Sequence, residues 1–140
     1  MASSPPINYT VLNDGIHEIK MLEISNHAVD MWMAQTLTIF ETTEIEQMPI
    51  LILLDHSIGM QALKYGFDKA RETTETLKQY KDTHVAMVAF IYEDEGFLLS
   101  MISNMVRIIT RNQNVVWRFF PNAKRESAIE WLLEQKRKKS

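Results

Sequence analysis

Residues 49–61 read PILILLDHSIGMQ. After Pro49, the positions from Ile50 to Leu54 are all apolar, and the chain then turns polar at Asp55, His56 and Ser57, with Gly59 just beyond. A strand that alternates apolar and polar residues has one dry face. A strand with no polar residue at all is covered on both faces, as at the centre of a parallel sheet. The stretch therefore predicts a central strand over 50–55, followed by a loop at its carboxyl end. In open α/β sheets, ligands bind outside the carboxyl ends of the strands. Asp55, His56, Ser57 and Gly59 are the candidate ligand-binding residues on that argument. A helix N-terminus follows them, where backbone N–H groups attract anions. Ser57 can cap that helix or offer its hydroxyl to a phosphate, His56 can donate to the same anion, and Gly59 lets the backbone turn. The ordinary alternative is a helix cap made by Asp55 or Ser57 beside a solvated His56.

The remaining elements read outward from this strand. INYTVLN (7–13) and IHEIKML (16–22) alternate imperfectly around Asn13-Asp14-Gly15, a strong hairpin signal. His17 is expected to face solvent there. Ser25 or Asn26 can cap a first helix carrying Val29, Trp32, Met33, Thr36, Leu37 and Phe40 at helical spacing. A second helix steps through Met60, Leu63, Phe67, Ala70, Thr74 and Leu77, with Phe67 expected in the core and Gly66 expected to allow close packing on the sheet. HVAMVAFIY (84–92) is a second strand apolar on both sides. Leu98, Met101, Ile102, Met105, Val106 and Ile109 mark a third helix. VVWRFF (115–120) is the last strand, and Ala128, Trp131, Leu132 and Gln135 line a fourth helix. The order β-β-α-β-α-β-α-β-α predicts the α/β class: a mixed central sheet of about five strands, an opening hairpin, then β-α repeats with four helices. Residues 1–6 read as a lead-in, 7–135 as a single domain and 136–140 as a basic tail.

Composition excludes several classes. The chain has 140 residues, 46% hydrophobic, enough for a real core. It has no cysteine, so disulfides, thiol catalysis and thiolate metal sites are ruled out, and a reducing cytoplasm is the expected setting. No apolar run reaches the ~18 residues of a membrane helix, so no transmembrane segment is expected. The net charge of −3 gives no reason to expect nucleic acid. That charge is uneven: residues 1–49 hold seven acids and one base, and residues 107–140 hold nine bases and three acids. Part of this asymmetry is Lys136, Arg137, Lys138 and Lys139, which suit the negative end of a helix dipole.

Catalytic and metal signatures are missing from the sequence. Asp55, His56 and Ser57 are neighbours in sequence, which a triad rarely is. There is no G-x-S-x-G elbow and no Walker loop. His17, His27, His56 and His84 are not spaced as zinc ligands on a helix. Glu93, Asp94 and Glu95 read as a solvated turn. No catalytic residue, metal or cofactor is expected, and the protein is not expected to be an enzyme.

The chain resembles the STAS superfamily, in the branch of SpoIIAA-like proteins that also resembles small CRAL-TRIO domains. The resemblance runs from about residue 8 to residue 134. It rests on the opening hairpin, LILLD (51–55), THVAMVAFIY (83–92), and an aromatic strand followed by SAIEWLL (127–133). It implies a non-enzymatic regulatory or ligand-binding module, acting on a protein partner or a small anionic ligand. In anti-sigma-factor antagonists of this superfamily, a serine at the start of the following helix is phosphorylated. Here the segment is only HSIG (56–59), without the paired serines, and Ser57 is the nearest hydroxyl for such a modification. A second reading is a small apolar-ligand or lipid-associated binder. It rests on Met31, Met33, Met60, Met101 and Met105, since methionine adapts to irregular apolar sites. Trp117 and Trp131 are expected in or near the core. Homodimerisation through an exposed helix or edge strand is a further expectation.

Overall fold

The computed structural model describes residues 5–23, 25–44, 49–56, 63–92, 103–104, 106–108, 110 and 114–139. Strands β1 (Ile7–Val11) and β2 (Ile16–Met21) form the opening hairpin. Its turn closes with Gly15 N–H donating to the Leu12 carbonyl at 2.9 Å. Gly15 has φ +81°, a conformation that costs a residue with a Cβ and costs glycine little.

Helix α1 (Asn26–Thr42) starts where Ser25 Oγ accepts from Ala28 N–H at 3.0 Å, satisfying one of the helix's orphan donors. Strand β3 (Ile50–His56), helix α2 (Leu63–Leu77) with a 3₁₀ turn at Lys78–Tyr80, and strand β4 (Ala86–Tyr92) follow. Residues 103–104 and 106–108 are helical, and we call this segment α3. Strand β5 (Val115–Pro121) leads through a 3₁₀ turn into α4 (Arg125–Lys139).

The five strands lie in the order β1-β2-β3-β4-β5. Only the β1–β2 pair is antiparallel; β2 to β5 run parallel, each beside the next. This order decides where the helices go. Three crossovers step one strand at a time in one direction, and crossovers of one hand then put α1, α2 and α3 on a single face. Packing agrees. Trp32 and Phe40 of α1, Leu77 of α2 and Val106 of α3 meet Ile52, Leu54, Val88 and Phe90. The opposite face is left for α4, whose Ala128 and Leu132 pack on Leu51, Leu53, Met87, Ala89 and Ile91. Every residue of β3 is buried, as the unbroken apolar run requires of a central strand.

An ion pair fixes the start of α4. Arg125, in its first turn, pairs with Glu18 of β2, whose side chain is only 12% exposed. The pair ties the start of α4 across the sheet to the hairpin.

Several local expectations change. β3 extends one residue further than the hydropathy break, to His56, because that residue is still in register with Tyr92 of β4. β4 starts at Ala86, two residues later than expected, since the His84 N–H is taken by the Tyr80 carbonyl at 2.8 Å. Lys136 to Lys139 are the last turn of α4 and not a tail beyond it. His17 is half-buried and shares a 2.7 Å hydrogen bond with the Tyr9 hydroxyl, where a solvated side chain was expected. Phe67 is half-buried under the guanidinium of Arg71, and among the described side chains of α2 the buried one is Thr73. Among the described residues, Gly66 has no neighbour within 4 Å of where a Cβ would stand, so it serves no close approach to the described strands of the sheet.

Candidate functional site

The sequence directs attention to Asp55 and His56, and the structure separates them. Both belong to β3, and side chains of a strand alternate between faces. His56 shares the face of Ile52 and Leu54, under α1 and α2. Asp55 shares the face of Leu51 and Leu53, under α4. Both are buried, at 6% exposure for Asp55 and 4% for His56. Two adjacent residues back to back on a sheet cannot grip one ligand between them. Asp55 stands opposite Lys20 in the β2–β3 register, on the side away from the three crossover helices. Ser57 and Gly59 lie outside the described residues, as do Glu93–Glu95, Met60, Met101 and Met105.

His56 is enclosed by aromatic rings. The Trp32 indole stands edge-on to it, with ring centroids 4.7 Å apart, and Phe90 stacks at 6.4 Å. Its Nε2 is buried and has no hydrogen-bond partner among the described residues. Burial pushes the imidazole pKa down to about 4, against a smaller upward pull from the Asp55 charge. His56 is therefore neutral at pH 7. A buried polar atom without a partner costs roughly 1–3 kcal/mol, and such atoms are few in folded proteins. His84 shows the contrast. It lies on the same face, its Nε2 donates to the Thr43 carbonyl at 3.0 Å, and its Nδ1 pairs with the Thr83 hydroxyl at 2.8 Å.

Between the crossover helices and the sheet lies a cavity of about 140 Å³. Its floor is Ile52, Leu54, Val88 and Phe90, with Trp117 of β5. Trp32, Met33 and Phe40 of α1 and Val106 of α3 form walls. Tyr80, Lys81, His84 and Asn114 stand at the end nearest the start of β4 and β5. The lining is almost wholly apolar.

The cavity has a cause in the sequence of α2. The helix turns Ala70, Thr73 and Thr74 toward the sheet, and Leu77 follows one turn on. Small side chains stand where a core helix ordinarily places leucine or phenylalanine. α2 packs chiefly against α1, and no hydrophobic side chain described on it is fully buried. Tyr65 of α2 donates a hydrogen bond to Asp30 of α1, and Lys69 lies 3.8 Å from the same carboxylate. These polar contacts hold the two helices together on the outside while the space beneath stays unfilled.

The sequence signal for this cavity was present and easily missed. ARETTETL (70–77) reads as a regular amphipathic stripe if threonine counts as apolar. It reads as a gap once side-chain volume is considered. Of the methionines expected to line an apolar site, Met33 does so, and Met31 is exposed. Among the described residues, no group of acids and histidines is arranged to hold a metal ion, and no helix is long and apolar enough to cross a membrane.

Comparison with known proteins adds no second line of inference: no family model, no curated protein and no solved structure matches the chain.

Proposed function

We propose that this protein is a non-enzymatic binding module whose ligand is a small, largely apolar molecule held in the cavity between α1, α2 and the sheet. One observation carries the reading: a cavity of about 140 Å³, walled by aliphatic and aromatic side chains, at the centre of the larger helix-covered face. A closed apolar cavity of about 150 Å³ takes up benzene or xenon; the space here has a similar volume and is partly open to the surface. A ligand of one ring therefore fits the available space. It would recover dispersion contacts that the lining side chains otherwise lack.

The geometry gives less support to an anion or a protein partner held at the carboxyl end of β3. A neutral, buried imidazole offers no positive charge, and Asp55 turns to the other face. The same separation favours binding over catalysis, because the two titratable side chains nearest each other in sequence do not converge on a common point.

The test uses benzene as the probe. Titrated into the purified protein, it should raise the melting temperature by roughly 3–6 °C at tenfold excess over its Kd. The increment should vanish in Ala70→Leu, whose longer side chain occupies the space. No benzene-dependent shift in the wild type would rule out the cavity as a binding site.

A further inference from the structure

We propose that the ligand of this cavity is a small aromatic monocarboxylic acid, its ring inside and its carboxylate at the rim against Lys81. The inference rests on the cavity reading above and supplies the polar half of the ligand.

The cavity is partly open, and its lining shows where. Among the described residues that line it, only Lys81 and Asn114 are exposed; the others are buried or half-buried. Lys81 follows the 3₁₀ turn after α2, and Asn114 directly precedes β5. Both segments are tied in beside the start of β4. The Asn114 carbonyl accepts from Ala86 N–H at 3.1 Å, and Lys81 N–H donates to the Lys78 carbonyl at 3.2 Å. The mouth is therefore at the start of β4, the other end of the sheet from His56.

The charge at this mouth has one sign. Among the described lining residues, Lys81 is the sole lysine or arginine, and there is no aspartate or glutamate. A lysine that both lines an apolar space and reaches water lays its methylenes along the wall and keeps its ammonium at the surface. The Asn114 amide can donate a hydrogen bond to the same ligand head. Polar side chains further in are already engaged. His84 uses both ring nitrogens, on the Thr43 carbonyl and the Thr83 hydroxyl. The Thr110 hydroxyl donates to the Val106 carbonyl at 2.7 Å and accepts from Trp117 Nε1 at 3.1 Å. A polar head is thus met at the rim and not in the interior.

A carboxylate suits that position. It sets one negative charge against one ammonium, and at the rim it keeps its water, so no charge is buried. A cationic head would stand against Lys81 with no described acid in the lining to offset the repulsion. A phosphate monoester, at about −1.5 to −2, exceeds the single positive charge. The space inside takes one ring. The ligand class is therefore a one-ring aromatic acid, in preference to a hydrocarbon or an aromatic amine.

Calorimetric titrations of benzoate, phenylacetate and 3-phenylpropionate, with phenethylamine and benzene for comparison, test this. The three acids hold the carboxylate at three distances from the ring. The best of them should bind the wild type at least about tenfold more tightly than phenethylamine. Lys81→Met should weaken that acid about three- to tenfold, as expected for a contact with an exposed charge, and Lys81→Glu should reverse the order of acid and amine. Lys81 is exposed, so both variants should bind benzene within about twofold of the wild type. Ala70→Leu should abolish binding of acid and benzene alike. If benzene binds but no acid exceeds phenethylamine, or Lys81→Met leaves the acids unchanged, the carboxylate assignment is refuted and the cavity reading stands. An acid that binds Ala70→Leu as well as the wild type sits on the surface, and the proposal falls. If neither benzene nor any acid binds the wild type, both readings fall.

Discussion

The His56 imidazole stands edge-on to the Trp32 indole, with ring centroids 4.7 Å apart. Trp32 in turn lines the apolar cavity beneath α1 and α2. One aromatic contact thus joins the polar end of the central strand to a side chain that walls this cavity.

The first consequence is a dependence of stability on pH. The folded-state pKa of His56 is depressed to about 4 by burial, while the unfolded chain has a value near 6.5. Between these values the unfolded state binds a proton that the folded state refuses. Stability from this residue is therefore complete above about pH 6.5 and falls as the pH drops toward 4, by roughly 3 kcal/mol in all. Urea unfolding from pH 7.5 to 4.5 should show the loss in the wild type and a much flatter profile in His56→Leu. Parallel profiles would mean that His56 is hydrated or paired in solution.

Filling the cavity should stabilise the fold. Ala70→Leu adds apolar surface inside an existing space of about 140 Å³ and should gain roughly 1–2 kcal/mol at pH 7. A loss of similar size in chemical denaturation would show that α2 already sits closer to the sheet than the cavity implies, so that the larger side chain overpacks the site.

Gly66 offers a cleaner test of the helix itself. It lies in the interior of α2 with open space where a Cβ would stand. Gly66→Ala should stabilise by about 0.5–1 kcal/mol, from helix propensity and reduced freedom of the unfolded chain. A destabilised variant would place a neighbour against this turn of the helix.

These tests bear on what the sequence could and could not convey. The central strand was legible because ILILL has no polar residue, and only double coverage accommodates that. The hairpin was legible in Asn13-Asp14-Gly15, and α4 in the spacing of Ala128 and Leu132. The end of β3 was not. Hydropathy marks a boundary at Asp55, but register with β4 carries the strand on to His56, a tertiary effect with no local signal. The assumption that Asp55 and His56 act together came from adjacency, whereas a strand's period of two separates neighbours to opposite faces. The cavity was hidden because a periodicity argument asks whether a position is apolar and not whether its side chain is long enough to fill the space. Ala70 and Thr74, counted in the stripe of the second helix, satisfy the first question and fail the second.

The opposite face provides a prediction independent of the ligand. Glu18 and Arg125 form a partly buried ion pair that connects β2 to the start of α4. Arg125→Ala should cost about 1–2 kcal/mol, between the values for exposed and fully buried pairs. A double-mutant cycle with Glu18→Gln should assign most of that cost to the pair. Additive single effects would show that α4 is held by Ala128 and Leu132 alone.

The central claim is that the space between α2 and the sheet accepts a small apolar molecule. A crystal of the wild-type protein pressurised with xenon tests it most directly. The account predicts a xenon site bounded by Leu54, Val88, Thr73 and Trp117, absent from Ala70→Leu crystals treated in the same way. An empty or closed space at those residues in the pressurised wild type would contradict it.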